Sequence, residues 1–92
     1  MFIVFDTETT GLPEDFSAPV SDTDNWPRIV QLAWKVYDIN GKVISSNNKI
    51  IKPDGFVIPD DSIRIHRITN ERANRDGVLI SDVLKEFSKD IE

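Results

Sequence analysis

The chain has no cysteine, one histidine, one tyrosine and one methionine among 92 residues. Without cysteine there can be no disulfide framework, no catalytic thiol and no zinc–thiolate centre, and a reducing compartment such as the cytoplasm is compatible. With one histidine, any metal site must be built largely from oxygen ligands. Long apolar runs are also missing: no stretch approaches the roughly 20 residues that a membrane-spanning helix needs. The N-terminus opens without a basic-then-apolar leader, so neither a membrane anchor nor a secretory route is expected. Positive charge is in deficit, with 11 Lys and Arg against 16 Asp and Glu and a net charge of −5. That balance excludes a broad basic surface gripping nucleic acid through many phosphates. It leaves open a site in which a bound divalent cation supplies the local positive charge. What remains is ordinary: 39% hydrophobic and 29% charged residues, enough for one small domain over residues 1–92 with a modest core.

The informative segment is residues 2–12, Phe-Ile-Val-Phe-Asp-Thr-Glu-Thr-Thr-Gly-Leu. Four apolar residues predict a short, buried, central strand that delivers Asp6 and Glu8 at its end. Residues two apart on a strand share a face, so the two acids can converge on one spot. Like charges held close together repel unless a cation lies between them. Carboxylate oxygens suit hard ions, Mg²⁺ or Mn²⁺. Thr9, Thr10 and Gly11 then turn the chain, and Gly11 permits close approach of backbone to a ligand.

Downstream, Pro13 to Pro27 is polar and reads as a long surface loop. Trp26 near its end either anchors the loop or stacks on a base. Ile29–Tyr37 and Lys42–Ile51 predict two further strands joined at Asn40-Gly41, a pair suited to a two-residue turn with both residues at positive φ. In the first of these strands Val30, Leu32, Trp34 and Val36 form the cleaner apolar face. A short helix is expected from Asp60 to about Arg67, and a second, capped by Thr69 or Asn70, ending near Gly77. Ser81 is the expected cap of a last helix whose core stripe is Ile80, Leu84, Phe87 and Ile91. The order is therefore three antiparallel strands followed by helices.

Val-Phe-Asp-Thr-Glu-Thr-Thr-Gly-Leu (residues 4–12) resembles the first motif of the DEDD-type 3′→5′ exonucleases, the family of the proofreading subunit of bacterial DNA polymerase III. Weaker similarity follows: Arg28–Trp34 resembles the family's second strand, Lys52-Pro53 the end of its third, and His66-Arg67-Ile68-Thr69 a His-Gly-Ile-Thr segment with Arg67 in place of glycine. The resemblance implies the first half of an α/β, RNase H-like fold. It also implies two divalent ions, held by four acids, that hydrolyse a phosphodiester and release 5′-mononucleotides from a free 3′ end. On this alignment Asp6 and Glu8 match the first two acids. Thr9 and Gly11 would hold the terminal sugar through backbone groups, and Leu12 would wedge against the terminal base. His66 would contact substrate, its alternative being an exposed histidine at a helix end. Gln31 is expected to be a satisfied strand residue.

The family's later motifs have no counterpart within these residues. Asp76, Asp82 and Asp90 fall in turn or surface-helix settings. The expectation is an N-terminal portion of an exonuclease domain, inactive alone, whose incomplete sheet promotes self-association. A replication protein such as a DNA polymerase is the expected partner, with DNA and RNA substrates equally open. Two rivals stand beside this reading. One is a degenerate domain of the same fold that only binds. The other is a haloacid dehalogenase-like phosphatase, which also opens with a strand and paired acids but needs a parallel sheet.

Overall fold

A computed structural model describes residues 1–92. Strands β1 (Phe2–Thr9), β2 (Ile29–Tyr37) and β3 (Val43–Ile50) form one antiparallel sheet in the order β1-β2-β3. Helices α1 (Asp60–His66), α2 (Asn70–Asp76) and α3 (Ile80–Ile91) follow. An antiparallel sheet of this kind is not the parallel sheet that the phosphatase alternative requires. No helix is long and apolar enough to cross a membrane.

The alternation in β2 organises the core. Val30, Leu32, Trp34 and Val36 are all buried, each contributing on the order of 1.5–3 kcal/mol by leaving water. Leu32, Trp34 and Val36 join Ile51 and Val83 in one cluster, against which Ile3 and Phe87 pack. Val30 joins Ile58, Ile68 and Ala73 in a second, under α1 and α2. The two clusters meet along β2, and a single parallel bridge between Ile51 and Val78 ties β3 to the chain entering α3.

Several expectations are corrected. β1 lies at the edge of the sheet, not its centre, and runs to Thr9; Phe2, Val4 and Phe5 are exposed, Phe5 while meeting Phe87 edge-to-face. The hairpin loop holds three residues. Asp38 and Lys42 close it, the Gly41 N–H bonds the Asp38 carbonyl (3.0 Å), and the Asp38 carboxylate takes the amides of Asn40 and Lys42 (2.9 Å each). Only Gly41 has positive φ, at 81°, as in a turn whose last residue is left-handed.

In α3 the buried residue is Val83, with Ile80 and Phe87 half-buried, while Leu84 and Ile91 are about half exposed. The stripe is rotated from the expected one: Val83 rather than Leu84 enters the cluster around Trp34, and Phe87 meets Trp34 edge-to-face with ring centres 5.3 Å apart. Ser81 does not cap that helix, which begins one residue earlier after Leu79. The Thr69 cap is present: its hydroxyl accepts the Arg72 N–H at 3.1 Å. α1 stops at His66, and Arg67 turns the chain with a left-handed φ of 66°. For a side chain with a Cβ that conformation costs roughly 1–2 kcal/mol.

The long loop is ordered by its own polar groups. Asn25 pairs with the backbone of Asp15 in both directions (2.8 and 2.9 Å), and the Trp26 indole donates to the Pro19 carbonyl (2.9 Å), the anchoring role. Two hydrogen bonds from Ser17 hold the Asp15 carboxyl below the ordinary value of 3.8.

Candidate active site

β1 pairs with β2 so that Asp6 lies opposite Ala33 and Glu8 opposite Gln31. Asp6 and Glu8 therefore share the face of the sheet turned away from Trp34 and α3. Two residues of strand set their α-carbons about 7 Å apart, a span that two carboxylates can close around cations between them. The register slips between Glu8 and Thr9, and this irregularity ends the ladder and bends the strand into the turn.

The two acids front different hollows. Asp6 lines one of about 290 Å³ on the open sheet face with Val4, Ala33, Lys35 and Asn48. Glu8 lines a cleft of about 320 Å³ with Thr9, Gly11, Leu12 and His66. The cleft thus gathers five of the six residues that the sequence singled out, and Asp6 adjoins it from the next position on the same face. Asp6 accepts the Thr7 N–H at 3.0 Å. No group of three or more His, Asp or Glu side chains gathers at a possible metal position. A pair of carboxylates fits part of a hard cation's ligand set, the balance coming from water and phosphate.

The turn is built by polar contacts that are invisible in the sequence. The Thr9 hydroxyl donates to the Gly11 carbonyl (2.9 Å) and accepts the Gly11 N–H (3.3 Å). Thr10 is pinned to the start of β2 twice: its N–H bonds the Arg28 carbonyl (3.0 Å) and its hydroxyl accepts the Arg28 N–H (2.9 Å). Ser62, the one buried polar residue, donates its hydroxyl to the Thr10 carbonyl at 2.6 Å. That bond sets α1 against the turn and forms the second wall of the cleft. Nothing in the sequence distinguishes Ser62 from other helix serines; only the docking of α1 gives it this role.

His66 stands on that second wall. It is half-buried, and its Nδ1 accepts the Ile68 N–H at 3.0 Å. An Nδ1 lone pair so used places the proton of the neutral ring on Nε2. Nε2 is buried and has no partner within the chain. Leu12 and Ile65, both about four-fifths exposed, are the apolar parts of the cleft. Gln31 is satisfied, its amide bonding Asn48 at 2.6 Å.

The sequence matches no family model, and no curated protein matches it. Solved structures do match. One, described as "The structure of exonuclease I suggests how processivity is achieved", aligns with a TM-score of 0.71 at 20% identity over 95% of this chain. Another, an "ExoI/SSB-Ct complex", aligns with a TM-score of 0.70 at the same identity and coverage. This chain spans 17% of the length of each. The architecture is therefore the first part of the exonuclease RNase H-like fold. The likeness is to exonuclease I and does not single out the polymerase III proofreading subunit.

Proposed function

We propose that this chain is the Asp6/Glu8-bearing part of a metal-dependent 3′→5′ exonuclease that releases 5′-mononucleotides from the free 3′ end of nucleic acid. One observation carries the reading. Two carboxylates occupy successive same-face positions at the end of β1, and the second opens into a cleft that it shares with His66 and the exposed Leu12.

Asp6 and Glu8 would hold Mg²⁺ or Mn²⁺. A bound divalent cation supplies Lewis-acid stabilisation of charge building on a phosphodiester. The chain's own groups bind and orient. Leu12 would present an apolar edge to a terminal base, the Thr9–Gly11 turn would face the sugar, and His66 would line the opposite wall. Ser62 and Arg28 hold the turn so that these groups keep their spacing.

Two carboxylates bind Mg²⁺ weakly, because that ion keeps its waters and is usually shared with substrate phosphate. The 92-residue chain is expected to release no mononucleotide by itself. Release abolished by Asp6→Ala would contradict that. The site itself is tested with Mn²⁺ and the labelled chain in NMR. Amide signals of residues 6–9 should broaden first, and Asp6→Ala or Glu8→Ala should weaken Mn²⁺ binding by about tenfold or more, equivalent to roughly 1.4 kcal/mol. Broadening elsewhere, or none, removes the nuclease reading and favours a module of the same fold that only binds.

A further inference from the structure

We infer that the hollow in front of Ala33 is a nucleoside subsite, which receives the nucleoside next to the terminal one so that the phosphate joining the two lies across Asp6 and Glu8. The inference rests on the proposed function and adds a second subsite to it. Asp6 and Glu8 hold successive positions on one face of β1, and each fronts its own hollow, about 290 Å³ at Asp6 and about 320 Å³ at Glu8. A strand with its last nucleotide in the Glu8 cleft would meet the Asp6 hollow one nucleotide further along.

The Asp6 hollow exists because of one small side chain. Along the open face of β2 run Gln31, Ala33, Lys35 and Tyr37, and only Ala33 ends at Cβ. It stands directly between Asp6 on β1 and Asn48 on β3, so its methyl group leaves the space that a longer side chain would take. Alanine is a weaker strand former than a β-branched residue, so keeping this space open costs the central strand some propensity. The lining suits an uncharged ligand. Val4 and the Tyr37 ring offer apolar surface, while Asp6 and Lys35 carry opposite charges. Asn48 accepts the Gln31 amide at 2.6 Å and keeps its own amide N–H groups for a ligand. A nucleoside is the uncharged part of a nucleic-acid strand, and its base joins a stackable face to hydrogen-bonding edges. The charged phosphate would fall beside the hollow, at the acids and the cations they hold.

The test uses the full chain in Mg²⁺ with two probes followed by NMR. Thymidine 5′-monophosphate fills the terminal position alone, and thymidylyl-(3′→5′)-thymidine adds the second nucleoside. The dinucleotide should bind about fivefold or more tightly, the lower end of what one stacked base contributes. It should also shift the amides of Ala33, Lys35 and Asn48, which the mononucleotide leaves in place. Ala33→Val narrows the hollow and suits a strand, so it should hold or raise Tm while reducing the dinucleotide to the affinity of the mononucleotide. Tyr37→Leu, which keeps an apolar side chain but removes the ring, should lose part of the same advantage. Equal affinity of the two probes for the unsubstituted chain, or an advantage that survives Ala33→Val, overturns the subsite, while mononucleotide binding at residues 8–12 leaves the proposed function standing. Binding of neither probe also overturns the subsite, and if Mn²⁺ then fails to broaden residues 6–9 the proposed function falls with it.

Discussion

Asp90 shows how far a single residue can depart from its apparent setting. In the sequence it sits near the end of an amphipathic helix as one more solvated acid. In the structure its Oδ2 accepts the Trp34 indole N–H at 2.7 Å, with Ser45 (3.3 Å) and Asn47 (3.4 Å) beside it. It thus ties α3 to both β2 and β3. Asp90→Ala strands a buried indole donor, which costs about 1–3 kcal/mol. A urea melt should show that loss as a lower midpoint, and Asp90→Asn, which keeps an acceptor oxygen, should recover part of it. Equal midpoints for Asp90→Ala and the parent chain would show the indole to be satisfied by water. Ser62 makes the same point at the cleft: its role comes from what α1 is docked against, not from its neighbours in sequence.

Among elements, the critical distance is that between the end of α2 and the strand it rides on. A Cβ at Gly77 would fall 2.6 Å from the Lys52 nitrogen and 2.7 Å from its Cα, and closer still to the Ala73 carbonyl. All three are backbone atoms, which cannot swing aside. Gly77 also donates to the Ala73 carbonyl at 2.9 Å, and the next residue bonds across to Ile50 (2.8 Å). Gly77→Ala must therefore push α2 off the sheet and break the parallel bridge, a destabilisation of about 2 kcal/mol or more. Chemical denaturation would measure it, and loss of protection at the Val78 amide should accompany it in hydrogen exchange. Retained protection would mean that the helix end relaxes without leaving the strand. The strand periodicity of β2 and the cap of α2 were legible in the sequence because each depends on local spacing. The edge position of β1, the three-residue hairpin loop and the rotated stripe of α3 were not, because each is decided by what packs alongside.

For the whole molecule, the sheet ends on one side in a strand with a free hydrogen-bonding edge and three exposed apolar residues, Phe2, Val4 and Phe5. Unpaired edges of that kind recruit further strands. The 92-residue chain is expected to associate with a second copy through β1, its weight-average mass rising with concentration in sedimentation equilibrium. Val4→Glu places a charge on the edge opposite Lys35, its cross-strand partner. It should shift the chain to monomer without unfolding it. A parent chain monomeric at high concentration would show the edge to be self-protecting.

The sequence by itself determined the three strands, the order of the elements, the apolar face of β2 and the pairing of Asp6 with Glu8 on one face, since period and turn chemistry act over a few residues. Only the tertiary structure decided that Glu8 shares its cleft with His66 and Leu12, that Asp6 faces a neighbouring hollow, and that Ser62 joins the two walls. Those relations connect residues some fifty positions apart, and they exist only once burial of Val30, Ile58, Ile68 and Ala73 has drawn α1 and α2 onto the end of the sheet.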